Sequence, residues 1–312
     1  LLVVGLAVTQ LNVTALISAV QRARIEWIGI AFIPWIILII LKAIKWKSLV
    51  ASLEGKISIR ESAKVLFIGL FVSVATPGRL GDFVRAWYIR DRFPLGKGIL
   101  VVLVDRAMDV ITLLIFAGVG LIILAQTSGV EIISETLIIG LVGACVVALA
   151  LGLNKRVAKK ISKYVFPLLP QTIRHVLMKH GHGFYDAIPL FLKNRENLIL
   201  ALLTSTGAWV MSVTFGWYIM IALNISADWV AALSIIPILA LVEIIPVGVL
   251  GIGTRELAAV IVMGAYGISP ESAVTFSLTY FALGYIPSFL MGAWLFNRQP
   301  VSFKGNKDFF SD

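Results

Sequence analysis

The sequence predicts an all-α, polytopic transmembrane helical bundle with about six full spans and two re-entrant broken-helix hairpins arranged as an inverted repeat. Three observations predict this fold. Of the 312 residues, 59% are hydrophobic and 14% are charged, whereas a soluble domain carries about 25% charged residues. Several apolar runs approach the roughly 20 residues that a membrane-crossing helix needs. Two shorter apolar runs, one in each half, are interrupted by proline and glycine.

The composition indicates one transmembrane domain over residues 1–312 rather than two soluble domains. The mean hydropathy of +0.95 leaves too little polar surface to face water. The net charge is +10, but Lys and Arg lie in loops between apolar runs, which is typical of cytoplasmic loops of membrane proteins. We therefore expect no nucleic-acid partner. The single cysteine, Cys145, lies in an apolar run and excludes an intramolecular disulfide.

The long apolar runs are interpreted as spans. We expect the chain to begin inside the first of them and Trp27 and Trp46 to lie at headgroup height. Lys42 and Lys45 are assigned to the basic loop that follows the second span. The runs divide the domain into a first half (1–153), a basic connector (154–195), a second half (196–300) and a tail (301–312). The predicted spans are the end of one over residues 1–10, then residues 27–44, 98–125, 136–153, 198–223 and 272–296.

The two interrupted runs are too short to cross the bilayer and favour re-entrant hairpins, over residues 62–95 and 230–267. A simple bundle with two proline kinks is the alternative. Span, hairpin and span recur in each half with opposite orientation, which is a transporter architecture with substrate held where the breaks meet. The basic loops place both termini in the cytoplasm of a cell-membrane protein. The predicted helix-break residues are Pro77, Gly78, Gly81, Pro246, Gly248, Gly251 and Gly253.

The first break offers an anion site. A helix that starts after a glycine-rich break presents free backbone N–H groups and a positive dipole end, which suits a phosphate. Arg79 and Arg85 add guanidinium groups that can grip phosphate through two hydrogen bonds. Asp82 is expected to cap the helix and to orient an arginine. An interfacial loop whose arginines meet ordinary headgroups is the alternative.

Three charged residues lie inside the span that follows. Asp105 and Asp109 share a helical face, and Arg106 lies three residues before Asp109. Charges in a span cost about 2.5–3.5 kcal/mol each, so they usually face the protein interior and form pairs. A structural salt bridge to Arg79, Arg85 or Arg255 and a proton or substrate role remain equally open.

The second break repeats the pattern of the first. Glu243 precedes it, and Arg255 and Glu256 follow its glycines. Two half-helix starts that each carry arginine predict a two-sided anion clamp, and the alternative is that the glycines only allow close packing. No metal site is expected, because His175, His180 and His182 have no further ligand at useful spacing. The sequence also lacks a Walker A loop, a nucleophile elbow and an HExxH motif, so we expect neither a cofactor nor an enzyme.

These motifs resemble the flippase-like family named for the transmembrane region of lysylphosphatidylglycerol synthase. The resemblance rests on residues 76–85, 105–109, 245–256 and 267–292, with Asp82 and Asp105 where that family commonly has Glu. It implies movement of phospholipids or polyprenyl-phosphate-linked sugars between leaflets. Because the chain ends soon after its last span, we expect no aminoacyl-transferase domain and no synthase activity.

The favoured hypothesis is a translocase for an anionic lipid. Arginines at the broken helices would bind the phosphate, while Asp105, Asp109, Glu243 and Glu256 balance them or carry protons. Without an ATP site, transport is downhill or driven by an ion gradient. One alternative is an intramembrane lipid enzyme that holds Mg²⁺ on Asp105 and Asp109. The other is an accessory subunit that presents lipid to a separate glycosyltransferase or aminoacyltransferase.

Overall fold

The computed structural model describes residues 21–74, 76, 81–90, 94–128, 143, 187–243 and 253–298, and nearly all of these are helical, with no strand among them. The all-α prediction is confirmed. The span predicted over residues 1–10, the span predicted over residues 136–153 apart from residue 143, and most of the connector with its three histidines lie outside these ranges. The helices are α1 (Ile25–Ala51), α2 (Ile59–Val74), α3 (Val84–Tyr88), α4 (Leu95–Ser128), α5 (Arg195–Ala222), α6 (Trp229–Glu243), α7 (Thr254–Gly264) and α8 (Pro270–Arg298).

Four of these helices, α1, α4, α5 and α8, are long and apolar enough to cross a membrane. They contain 27 to 34 residues, so each is about 40–50 Å long, which exceeds the hydrocarbon core of a bilayer. Their outward faces carry large apolar side chains, which suits contact with lipid rather than water. Examples are Ile33, Ile36, Leu203 and Leu290, all at least half exposed. The chain is therefore a polytopic helical membrane protein.

The helices are interrupted within both segments where the sequence predicts a break. α2 ends at Val74, and a 3₁₀ turn over residues 81–83 precedes the short α3. α6 ends at Glu243, and α7 begins after Gly253, whose φ of +92° is a conformation that favours glycine. Of the seven predicted break residues, Gly81 and Gly253 belong to the described ranges, and the other five lie outside them.

Gly81 brings the first hairpin back onto the end of α2. A Cβ atom at this position would clash with the backbone of Val72 and Ser73. The Thr76 hydroxyl secures the turn, because it donates to the Val72 carbonyl (3.1 Å) and accepts from the Gly81 amide (2.7 Å). The chain can therefore fold back at this point only with a glycine.

The two halves repeat one another. α1 and α5 begin at residues 25 and 195, α2 and α6 at residues 59 and 229, and the arginines of the breaks stand at 85 and 255, a constant difference of 170 residues. α1 packs on its counterpart α5. α2 of the first half packs on α8 of the second half, and in the same way α6 of the second half packs on α4 of the first. The two halves thus exchange equivalent partners. Glycines allow both exchanged contacts, with Gly120 against the backbone of Ser234 and Gly292 against that of Phe67. This exchange is what a two-fold relation between repeats produces.

Candidate functional site

Lys45 lies at the centre of a buried charge cluster between α1 and α4. Its ammonium nitrogen is 2.8 Å from Asp105 Oδ1 and 2.6 Å from Asp109 Oδ1. It also donates to the Asp105 backbone carbonyl at 3.2 Å. The assignment of Lys42 and Lys45 to a loop was wrong, because α1 continues to Ala51 and both lysines lie within the helix. The helix can extend this far because carboxylates of α4 neutralise the lysines.

Arg85 joins the same cluster from α3. Its Nη1 is 2.9 Å from Asp105 Oδ2 and its Nε is 3.8 Å from Asp82. The guanidinium stacks over the Trp46 ring, with Cζ 4.6 Å from the centroid. Trp46 was predicted at headgroup height, but it is buried and supports this arginine. The arginine crosses α2 at Gly69, where a Cβ would lie 2.7 Å from Arg85 Cδ.

Arg106 and Asp82 close the cluster on the side of α3. Arg106 Nε is 3.1 Å from Asp82 Oδ2. The prediction that Asp82 caps a helix was wrong, since the N-cap of α3 is Phe83 and has no side-chain cap. Asp82 instead pairs with arginines, because the break brings it to α4. We call the whole set the α1–α3–α4 cluster, and it consists of Lys42, Lys45, Asp82, Arg85, Asp105, Arg106 and Asp109.

The α1–α3–α4 cluster has more cations than carboxylates. Four basic side chains face three aspartates, so its formal charge is one positive unit. Most of the set is buried, but Lys42 and Arg106 keep 31% and 29% of their side chains exposed. Ser205 from α5 donates to Asp109 at 3.2 Å. The result is a positively charged polar network inside an apolar bundle.

A second cluster surrounds Arg255 at the other break. Its Nη2 is 2.7 Å from Glu256 and its Nη1 is 3.3 Å from Glu243. The arginine Nε donates to the Ser277 hydroxyl at 2.9 Å, and Ser277 in turn donates to Glu256 at 2.9 Å. The Tyr285 hydroxyl donates to Glu243 at 3.2 Å. We call these five residues the α6–α7–α8 cluster.

The comparisons with known proteins fit this architecture. Residues 1–292 match the family model described as the lysylphosphatidylglycerol synthase TM region. The chain belongs to this family. The expected resemblance is thereby confirmed.

Three relatives of this lysylphosphatidylglycerol synthase TM-region protein show the extent of the similarity. A UPF0104 membrane protein of Methanocaldococcus jannaschii is 21% identical over 305 residues, covering 94% of this chain and 91% of the relative. A UPF0104 membrane protein of Pyrococcus horikoshii is 23% identical over 296 residues, with 88% of each chain covered. A protein of Haloferax volcanii named glycosyltransferase AglD is 22% identical over 308 residues, and this chain covers 88% of its own length but 49% of that relative.

The structure of this family member groups the predicted site residues into two sets. Asp82, Arg85, Asp105, Arg106 and Asp109 meet in the first cluster, and Glu243, Arg255 and Glu256 meet in the second. Arg79 lies outside the described residues. Among the described residues, no ion pair joins the two sets. The sequence offered Arg79, Arg85 or Arg255 as the ion-pair partner of Asp105. In the structure Asp105 pairs with Arg85 and also with Lys45.

Several donors in and beside the α1–α3–α4 cluster are buried without an acceptor. Considering the part of the chain that the structure describes, Arg85 Nη2, Trp46 Nε1 and Ser73 Oγ have no hydrogen-bond partner. Buried polar groups are nearly always hydrogen-bonded, and two of these three groups can only donate. Trp46 lies beneath the Arg85 guanidinium, and Ser73 follows Gly69, which the arginine crosses, by one helical turn of α2. This place in the family member therefore suits an acceptor oxygen.

Sequence reasoning did not identify Lys42, Lys45, Trp46, Ser277 or Tyr285 as site residues. The lysines carried a usable signal, since they lie three residues apart on one helical face and the aspartates of α4 lie four apart on another. Trp46, Ser277 and Tyr285 gave no such signal in the sequence, because residues of these types are common in membrane helices. Among the described residues, no three His, Cys, Asp or Glu side chains are grouped to hold a metal ion.

Proposed function

We propose that this protein moves an anionic lipid between the leaflets of the membrane and binds the lipid phosphate at the α1–α3–α4 cluster. The observation that carries the proposal is the excess of donors and positive charge in that cluster. Four basic side chains share three carboxylates inside an apolar bundle. A buried net charge is expensive unless it is compensated, and a phosphate supplies the missing negative charge.

The donors match what a phosphate requires. Guanidinium groups bind phosphate through charge-assisted hydrogen bonds, which are shorter and stronger than neutral ones. Arg85 Nη2 and Trp46 Nε1 supply two N–H groups that have no acceptor within the described residues. Lys42 and Arg106 are about one-third exposed and attract an anionic headgroup toward the buried donors. The hydrocarbon tail of such a lipid remains in the bilayer.

The proposed substrate class is a phospholipid or a polyprenyl-phosphate-linked sugar. Both present a phosphate on a long apolar tail, so the cluster suits either. The name of the Haloferax volcanii relative, a glycosyltransferase, favours a role near lipid-linked sugars. We accordingly propose a lipid glycosyltransferase or aminoacyltransferase as a partner. We also propose that the protein lies in the cell membrane with both termini in the cytoplasm. An accessory subunit that only presents lipid to such an enzyme would use the same phosphate site.

An intramembrane enzyme is the second candidate, and the cluster does not favour it. The enzyme hypothesis places Mg²⁺ between Asp105 and Asp109. Lys45 already contacts both carboxylates, at 2.8 and 2.6 Å. A metal ion between them would have to displace this buried ammonium from both carboxylates. We therefore propose that the protein is not an enzyme.

Reconstitution into liposomes tests the proposal. Purified protein is placed in phosphatidylcholine–phosphatidylglycerol vesicles with a trace of fluorescent phosphatidylglycerol, and dithionite quenching measures leaflet exchange. We expect exchange well above that of empty vesicles. Arg85→Gln should slow it about tenfold or more, because a hydrogen bond to a charged group contributes about 1.5–3 kcal/mol. The matched control is Arg195→Gln, an exposed arginine at the start of α5.

The outcomes separate the candidates. Exchange no faster than in empty vesicles, or equal in Arg85→Gln and the control, would contradict the translocase. Magnesium-dependent conversion of the labelled lipid by the pure protein would support the enzyme instead. Size-exclusion chromatography of Arg85→Gln shows whether the slower exchange comes from an intact fold.

A further inference from the structure

We propose that the α6–α7–α8 cluster binds a proton on Glu243 and thereby couples lipid movement to a proton gradient. The inference rests on the proposed function and assigns its energy source. In the sequence, Arg255 looked like the second half of an anion clamp. The contacts around it favour a different role.

The two repeat-related arginines have opposite surroundings. Arg85 meets Asp105 on α4, whereas Arg255 meets Ser277 on α8. The first cluster has four basic groups and three carboxylates, whereas the charged residues described in the second are one arginine and two glutamates. The repeat has therefore diverged in charge, from a cluster with excess positive charge to one in which a single guanidinium serves two carboxylates.

Arg255 is poorly placed to accept a phosphate. Its Nε, Nη1 and Nη2 each contact an oxygen, of Ser277, Glu243 and Glu256 respectively. Its Cζ also lies 4.5 Å from the centre of the Phe281 ring, which covers one face of the guanidinium. An incoming phosphate would have to compete with two carboxylates that already hold this guanidinium. Arg85, in contrast, has one nitrogen without an acceptor among the described residues.

The two glutamates are not equivalent. Glu256 lies in the first turn of α7, at the positive end of the helix dipole, and accepts from the Gly253 amide, the Ser277 hydroxyl and Arg255. These donors stabilise it as an anion. Glu243 is the last residue of α6, at the negative end of a helix dipole, which disfavours a carboxylate. Its contact with Arg255 is also longer, 3.3 Å against 2.7 Å.

Glu243 is therefore the carboxylate that accepts a proton. Among the residues that the structure describes, the titratable groups that face it are Arg255 and Glu256 from α7 and Tyr285 from α8, with Tyr280 nearby on α8. The parts of α4 (residues 116–124) and α5 (residues 213–222) that pack beside α6 contain no Asp, Glu, Lys, Arg or His, and their one titratable side chain is Tyr218. When hydronium gives its proton to Glu243, one O–H bond of hydronium breaks and one O–H bond forms on the carboxylate, and among the described residues Arg255 is then paired with the Glu256 carboxylate alone.

The position of this ion pair connects protonation to the hairpin. Glu243 ends α6 and Arg255 begins α7, so their contact bridges the second break. Gly253, which precedes α7, has a φ of +92°. Protonation of Glu243 removes the charge attraction across the break and frees α7 to move relative to α6. A proton gradient can then favour one arrangement of the hairpin over another, because Glu243 binds a proton with a different free energy in each arrangement.

The test uses the same proteoliposomes and fluorescent phosphatidylglycerol, with exchange measured from about pH 5 to 9, the range in which buried glutamates titrate, and under an imposed gradient. We expect one titration step in the wild type and net lipid accumulation driven by the gradient. Glu243→Gln should show no step and no response to the gradient, whereas Glu243→Asp restores both. The control is Glu196→Gln, an exposed glutamate in the first turn of α5, which should match the wild type.

Tyr285→Phe gives an independent test. The tyrosine hydroxyl donates to Glu243, and its loss destabilises the anion, so the titration step should move to higher pH. A purely structural role of Glu243 does not predict this shift. A step that survives in Glu243→Gln, a wild type whose exchange does not depend on pH, or an unmoved step in Tyr285→Phe would each overturn the proposal.

The proton site is also measured without transport. Infrared difference spectra of the purified protein should show a carboxylic-acid band on acidification that Glu243→Gln lacks and Glu196→Gln retains. If the wild type exchanges no lipid, the proposed function fails, and this band decides the proton site separately. If exchange occurs and the band is the same in Glu243→Gln, only the proton site fails.

Discussion

Lys45 and Asp105 form an ion pair of 2.8 Å between α1 and α4, with side chains that are 1% and 3% exposed. The same ammonium lies 2.6 Å from Asp109. One lysine therefore bridges two carboxylates in the interior of the bundle. Without it, Asp105 would depend on Arg85 and on a longer contact of 3.8 Å with Arg106, and Asp109 would depend on the partly exposed Lys42 at the rim of the cluster.

Lys45→Met should destabilise the protein strongly. Methionine has a similar length, but it leaves two buried aspartates with less compensation, and removing one partner of a buried ion pair costs about 3–5 kcal/mol. Thermal unfolding in detergent measures the effect. Lys47→Met is the matched control, because Lys47 is exposed two residues further along α1, and its transition should stay near that of the wild type. Equal transitions for the two variants would contradict the central role of Lys45.

The sequence could predict the helices and the breaks because each depends on local composition. Asp105, Arg106 and Asp109 were identified because charges inside an apolar run are rare and need partners. Lys45 was assigned to a loop because hydropathy counts a lysine as the end of a span. Only the carboxylates of α4, sixty residues away in the chain, explain why it stays in the helix. The cap predicted at Asp82 failed for the same reason, since Arg106 of α4 competes for that carboxylate.

The exchange of helices between the repeats predicts that Gly292 tolerates no side chain. A Cβ there would clash with the Phe67 carbonyl and lie 2.7 Å from Phe71 Cβ. We expect Gly292→Ala to lower the stability by about 1–3 kcal/mol, as overpacking does. Gly29→Ala is the control, because a Cβ added at that exposed glycine of α1 would meet no atom within 4 Å. Its unfolding temperature should be unchanged or raised, since alanine favours the helix by up to about 1 kcal/mol.

Glu256 should stabilise the start of α7. Its carboxylate accepts the Gly253 amide, the Ser277 hydroxyl and Arg255. Glu256→Ala leaves these buried donors with one acceptor fewer, which costs about 1–3 kcal/mol. The control is Glu196→Ala, which removes an exposed glutamate from the first turn of α5. Both substitutions change helix propensity in the same way, so the difference between them measures the contribution of the hydrogen bonds. Similar thermal unfolding of the two variants would show that the contacts of Glu256 contribute little.

Lys42 tests whether the excess charge of the first cluster selects anionic lipids. Its nitrogen is 3.7 Å from Asp109 and its side chain is 31% exposed, so Lys42→Met should cost only about 0–1 kcal/mol of stability. The substitution nevertheless cancels the formal charge of the cluster. We expect the exchange of fluorescent phosphatidylglycerol to fall several-fold relative to that of fluorescent phosphatidylcholine, with Lys47→Met unchanged in both. If the exchange of both lipids fell equally, Lys42 would be needed for the structure of the protein and not for recognition of the headgroup charge.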